Sequence, residues 1–308
     1  MRKISLGCIF VLCSLALALP VEAQKIDLSL KLQKGHTYTH EMVSTASIKQ
    51  QLEEMDFDVE MQISGTMSFL VKETGPDGYL MDVQYERMAM RLSIPMAEEM
   101  VFDSDAKDPE DIFSRIMGKI VRQPFGVRMS KSGKVQEILE IERMFDAMFD
   151  QFSEIPEEQL HQIKDQLLDA YGAKAFKGSL EMLTAIFPEK NVAIGEKWSV
   201  QTNLMGMMEA QIDATFQLDQ STKDFNLITG KALINTNPVT EMEDGDITMD
   251  LEGTMLSNIK VDPTTGWVIA ASINQHIEGN SMIGPSEDMS EGMSIPITLI
   301  TKIEIKGK

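Results

Sequence analysis

The chain alternates between apolar and polar residues over unusually long segments. From residue 59 to residue 71 every odd position is apolar or glycine, and every even position from 60 to 68 is polar. A period of two is typical of a β-strand with one buried face. A Gly-Pro-Asp-Gly turn follows at 75–78, and the alternation then resumes and changes phase near Glu86-Arg87, which predicts a β-bulge. The sequence therefore predicts a long β-hairpin, whose arms of about sixteen residues would each span roughly 50 Å.

A second hairpin of the same design is predicted near the other end of the chain. With a constant offset of 188 residues, 59–81 align onto 247–269 without a gap. Six aligned positions are identical: Met61/Met249, Gly65/Gly253, Thr66/Thr254, Met67/Met255, Lys72/Lys260 and Gly78/Gly266. We interpret the two hairpins as copies of one duplicated antiparallel β unit.

The residues between the hairpins follow a helical pattern instead. Apolar stripes at helical spacing cover four segments, 112–120, 138–152, 160–171 and 176–187. A short hairpin at 126–135 interrupts them, and Asp108 followed by Pro109 is predicted to cap the first helix. Helices with one apolar face need an apolar surface to cover. The predicted fold class is therefore α+β: a long curved antiparallel sheet, or half-barrel, built from the duplicated β unit, with the helical segment packed on one face.

The N-terminus has the pattern of a secretory signal peptide. Arg2 and Lys3 precede an apolar run from Ile4 to Leu19, and small residues set a cleavage site after Ala23. The predicted organisation is a signal peptide at 1–23 and a single mature domain at 24–308, divided into a first β half (24–95), a helical part (96–189) and a second β half (190–308). We expect the mature protein to be periplasmic or extracellular. It should not span a membrane, because no other run approaches the roughly 20 apolar residues that a bilayer requires.

Composition limits the chemistry that the chain can perform. The net charge of −20 leaves no basic surface for nucleic acid. Cys8 and Cys13 both lie in the predicted signal peptide, which excludes thiol catalysis and thiolate metal sites from the mature chain. His36 and His40 lie in a predicted strand, where about 13 Å separates positions i and i+4, too far for one tetrahedral ion. Without a nucleophile elbow or a phosphate loop, we expect no enzyme, no catalytic or metal-binding residues and no cofactor.

Two acidic clusters, at 103–111 and 241–246, raise the alternative of calcium binding. In the first cluster Lys107, Asp108 and Ser114 stand where an EF-hand loop needs a ligand, a glycine and a glutamate. Solvated loops and a helix N-terminus explain both clusters, and calcium stays the open alternative.

The 24 methionines are the one compositional anomaly. They fit ordinary core filling, a pliable apolar ligand surface, or Cu(I) binding by thioethers at 88–90 and 205–208. On the second interpretation the candidate ligand face comprises Met61, Ile63, Met67, Phe69, Met81, Met249, Leu251, Met255, Trp267 and Ile269. Our hypothesis is an exported non-enzymatic protein that binds a hydrophobic small molecule or a lipid moiety on this face. The alternative is a structural or accessory envelope module that docks a partner protein.

The repeated Gly-Thr-Met and the Asp-Pro-Thr-Thr-Gly-Trp turn at 262–267 carry a resemblance. At these motifs the chain resembles an uncharacterised family of exported proteins common in Bacteroidota, over most of its mature length. The resemblance implies a signal peptide, long paired strands and a middle helical region, and it implies no activity and no catalytic residues. By architectural analogy alone, the predicted fold is also similar to periplasmic lipoprotein-carrier half-barrels.

Overall fold

The computed structural model describes residues 25–52, 55–108, 111–149, 152, 156–205, 209–236, 247–285 and 292–308. Several features predicted from the sequence lie outside these residues. They are the signal peptide with its cleavage site, the acidic cluster at 241–246 and the methionines at 207–208.

Twelve β-strands of the described chain form one antiparallel sheet. The strands are β1 (Thr37–Leu52), β2 (Met55–Gly75), β3 (Gly78–Ser93), β4 (Met100–Asp103), β5 (Phe125–Met129), β6 (Val135–Leu139), β7 (Lys197–Leu204), β8 (Ala210–Ser221), β9 (Asn226–Thr236), β10 (Ile247–Val261), β11 (Val268–Ile283) and β12 (Met293–Gly307). Their order across the sheet is β6-β5-β3-β2-β1-β12-β11-β10-β9-β8-β7, and β4 pairs with β3. The first six and the last six strands thus form two halves, which join where β1 pairs with β12.

Both predicted hairpins are present, as β2–β3 and β10–β11. In the first, Thr66 pairs with Arg87 and Met67 with Tyr85, so that Glu86 is an extra residue. This slip in register confirms the β-bulge predicted there. The strand that precedes each hairpin in the chain pairs with it, β1 with β2 and β9 with β10.

Four helices follow the four predicted apolar stripes: α1 (Ile112–Ile120), α2 (Ile141–Phe149), α3 (Glu157–Tyr171) and α4 (Ala173–Thr184). The prediction that Asp108 caps α1 was wrong. The cap is Asp111, whose carboxylate accepts a hydrogen bond from Ser114 N at 3.0 Å. That bond satisfies one of the free N–H groups in the first turn of α1. Because the cap is Asp111 and not Asp108, the helix starts three residues later than predicted.

The sheet curves so that both of its edge strands meet α4. Glu181 of α4 accepts a hydrogen bond from Val135 N of β6 at 2.8 Å. On the opposite edge, Gly178 of α4 lies so close to β7 that a β-carbon there would be 2.9 Å from Asn203 O. A flat sheet of this width would separate its edges by about 50 Å, whereas a helix of this length measures about 18 Å. The face that carries α4 is therefore the concave face, called the inner face below.

The segment 25–34 crosses one end of the inner face, which we call the base. Leu30 N donates to Lys131 O in the β5–β6 turn, and Lys31 N donates to Thr265 O in the β10–β11 turn. The leucines at alternate positions of this segment are buried: Leu28, Leu30 and Leu32. The hydrophobic core is thus enclosed between the sheet, the helices and this segment.

Candidate functional site

The structure divides the ten residues of the predicted ligand face into two groups. Five are buried members of the continuous core: Phe69, Met81, Leu251, Met255 and Trp267. Five are only half-buried: Met61, Ile63, Met67, Met249 and Ile269. The first group packs against the protein's own side chains, so its surface is not open to a ligand.

Trp267 lies at the centre of an aromatic cluster at the base. Its ring stacks on His40 with centroids 4.3 Å apart, and Phe69 meets it edge-on at 5.1 Å. Trp267 Nε1 donates to Thr39 O at 3.3 Å, and His40 Nε2 donates to Val268 O at 3.2 Å. Burial lowers the pKa of His40 to about 4, so the imidazole is neutral at pH 7. The cluster ties β1 to the β10–β11 turn, which is a structural role.

Ile269 is the extra residue of a second bulge. Val261 pairs with Val268 and Lys260 pairs with Ala270, which leaves Ile269 without a partner in the ladder. Because a bulge residue has no cross-strand partner, its side chain does not follow the alternation between the two faces of the sheet.

Beyond the core, half-buried apolar side chains line the inner face of β1, β2 and β3, and we call five of them the distal patch: Ile48, Val59, Met61, Ile63 and Leu92. Val59 pairs with Ile48, and Met61 pairs with Leu92, which places all five on one face. Among the residues that the structure describes, none of the five belongs to the hydrophobic core or packs against it. The patch extends about 13 Å along β2 and about 10 Å across the three strands. Ile48, Val59 and Leu92 were not among the residues predicted from the sequence.

The row of residues through Met61 runs across the sheet to α4. It passes through β1 to Thr301 of β12 and then to Gln275 of β11. Gln275 Nε2 donates to Met182 Sδ of α4 at 3.2 Å and to Met255 Sδ at 3.6 Å. Helix α4 therefore bounds the inner face on the side opposite the distal patch.

Charged groups near α1 are engaged with one another. Arg87 pairs with Asp103 and, at 3.3 Å, with Asp105.

Across the described ranges, no group of three or more histidine, cysteine or acidic side chains is placed to hold a metal ion. No helix in those ranges has the length and apolarity needed to cross a membrane.

Comparison with known proteins identifies a family whose function is unknown. A family model described as "Family of unknown function (DUF6263)" matches residues 76–268, which is more than half of the chain. No curated protein matches the sequence.

Two solved structures illustrate how weak the structural likeness is. The COG4313 outer membrane channel from Pseudomonas putida F1 is 7% identical, with 91% of this chain and 97% of that chain covered and a TM-score of 0.19. Pseudomonas aeruginosa OccK7 (OpdD) is 8% identical, with 88% and 98% covered and a TM-score of 0.17. At such scores the likeness carries no argument about fold or function.

Proposed function

Given that the chain belongs to a family of unknown function (DUF6263), we propose that it is an exported, non-enzymatic protein that binds the acyl chain of a lipid, or a similar apolar molecule, on the distal patch of a half-barrel. The buried residues of the predicted ligand face belong to the core and hold the fold together.

The observation that carries this proposal is the half-buried state of the distal patch. Its five side chains line the inner face, yet they lie outside the core cluster. Each 100 Å² of such surface that a ligand covers would contribute about 2.5 kcal/mol. Met61 at its centre is unbranched and polarizable, which suits a flexible chain better than a rigid ring system.

Other parts of the proposal have their own support. Export rests on the pattern of residues 1–23, and an origin in Bacteroidota rests on the resemblance alone; both stay predictions. The half-barrel is supported by the contacts of α4 with both edge strands. The duplicated unit is supported by the gapless alignment of the two hairpins.

Binding of the neutral dye N-phenyl-1-naphthylamine tests the site. We expect Met61→Asp to weaken dye binding at least tenfold, because a carboxylate would be desolvated beneath the ligand. Gln62→Asp is the matched control, since Gln62 is exposed on the outer face of the same strand. Equal affinities for the two variants would contradict the proposal. Native mass spectrometry of protein purified from its own cells should then show a bound lipid in the wild type and less in Met61→Asp.

A second candidate function is docking of a partner protein on the outer face. The large apolar side chains exposed there include Leu233 (58%), Leu256 (51%) and Ile300 (43%). Leu233 and Ile300 lie in one row of the sheet, since Leu233 pairs with Thr254 and Ile300 with His276, which pair with each other. A photocrosslinker placed at Leu256 should trap one partner in intact cells. Crosslinking that Leu233→Asp leaves unchanged would argue against this surface.

A further inference from the structure

A groove of about 620 Å³ crosses the outer face, on the side of the sheet opposite the distal patch. Its lining includes Val43, Leu227 and Ala270, together with Lys260 and Lys306. Val43 is 42% exposed, which leaves apolar surface open within the groove.

Two lysines flank the floor of this groove. Lys306 of β12 pairs with Ala270 of β11, and Ala270 pairs with Lys260 of β10. Three adjacent strands place the two lysine Cα atoms about 10 Å apart. The methyl group of Ala270 between them leaves room above the sheet, so both ammonium groups can approach one anion there.

The carboxylates that line the groove are already paired. Glu41 binds Lys308 at 3.4 Å, and Glu304 binds Lys302 at 3.0 Å. Both carboxylates lie on strands that line the groove. The lysines that balance their charges, Lys302 and Lys308, do not line it.

The two flanking lysines are held differently: Glu41 is the cross-strand neighbour of Lys306, but its carboxylate pairs with Lys308. Within the part of the chain that the structure describes, neither Lys260 nor Lys306 forms an ion pair with a carboxylate; Lys260 Nζ lies 4.7 Å from the centroid of the Phe225 ring. Two lysines without an ion pair in the described structure thus share one groove of a protein whose net charge is −20, where most of the surface should attract cations.

We propose that this groove binds a single-chain anionic amphiphile of the fatty-carboxylate class. The carboxylate lies above Ala270 between the ammonium groups of Lys260 and Lys306. The alkyl chain lies against Val43 and the methylene stems of the lysines. This site is independent of the distal patch, because the two are on opposite faces of the sheet.

Isothermal titration with octanoate and with 1-octanol, which has the same chain without the charge, tests the proposal. We expect the wild-type protein to bind octanoate at least tenfold more tightly than 1-octanol. The double variant Lys260→Gln/Lys306→Gln should bind octanoate at least tenfold more weakly than the wild type. Lys174→Gln/Lys231→Gln is the matched control, because it removes the same charge from exposed positions outside the groove.

Several results would overturn the inference. They are equal affinity for octanoate and 1-octanol, an unchanged affinity in Lys260→Gln/Lys306→Gln, or no heat of binding with 5 mM octanoate. Binding to phosphatidylglycerol vesicles without binding to octanoate would point to a membrane surface instead. Met61→Asp should bind octanoate like the wild type, so failure of the distal patch and failure of this groove are distinguishable.

Discussion

Lowering the pH from 7.5 to 5 is expected to destabilise the folded protein through His40. Burial of this side chain lowers its pKa from 6.5 to about 4, although the hydrogen bond to Val268 O opposes part of that change. In the unfolded chain the imidazole binds a proton near pH 6.5, whereas in the folded protein it does so only near pH 4. The stability that depends on neutral His40 is therefore complete above pH 6.5 and is lost as the pH falls from 6.5 towards 4.

The magnitude follows from the difference between the two pKa values of His40. At about 1.4 kcal/mol for each pKa unit, the loss amounts to about 3 kcal/mol once both states are protonated. At pH 5 the same two values give a loss of about 2 kcal/mol in the free energy of unfolding.

Urea unfolding followed by tryptophan fluorescence measures this loss, since Trp267 stacks directly on His40. His40→Phe keeps an aromatic ring there but loses the hydrogen bond to Val268 O, at a cost of about 1 kcal/mol at every pH. Between pH 7.5 and pH 5 it should lose about 2 kcal/mol less than the wild type. His276→Gln, at an exposed site, should keep the wild-type dependence. The reasoning is refuted if His40→Phe and the wild type lose the same stability over this range.

Two further substitutions test how α4 is joined to the β5–β6 hairpin. Gly133→Ala should destabilise the protein by more than about 3 kcal/mol or prevent folding, because its β-carbon would lie 1.7 Å from Thr184 O. The control is Gly35→Ala, at a similar φ of 81° but with open space around it, which should cost only about 1 kcal/mol in the same thermal unfolding assay. Equal losses of stability in the two variants would contradict the argument. Glu181→Ala should lower the free energy of unfolding, measured in urea, by about 2 kcal/mol, because Val135 N loses its buried acceptor. A loss below about 0.5 kcal/mol would show that water replaces the carboxylate.

The long hairpins could be predicted from the sequence because one face of each strand is buried along most of its length. A period of two then extends over enough residues to mark strand, turn and bulge, including the slip at Glu86. The pattern of β1 is less regular, because its inner positions include the polar residues His40 and Ser44. Strand β12 also departs from the pattern, since Ile300 is on the outer face and Thr301 on the inner face.

The distal patch could be predicted only in part. Met61 and Ile63 follow from the alternation of β2, but the places of Ile48 and Leu92 depend on the register with β1 and β3. Which inner residues are covered depends on α4, because its contacts with both sheet edges decide where the core ends. Local sequence patterns contain neither the register between strands nor the position of a helix on a sheet.

The pairing of β1 with β12 has a consequence for how the protein folds. The two strands pair from His40 opposite Gly307 to Gln50 opposite Ile297, so their partners are more than 200 residues apart in the chain. Contacts between such distant residues form slowly, because a long loop must close before they can contribute stability. Until β12 has been synthesised, β1 has no partner on one side and is an open edge strand of 16 residues. A chain that has not yet formed this pairing therefore presents an edge strand that can pair with another chain and aggregate.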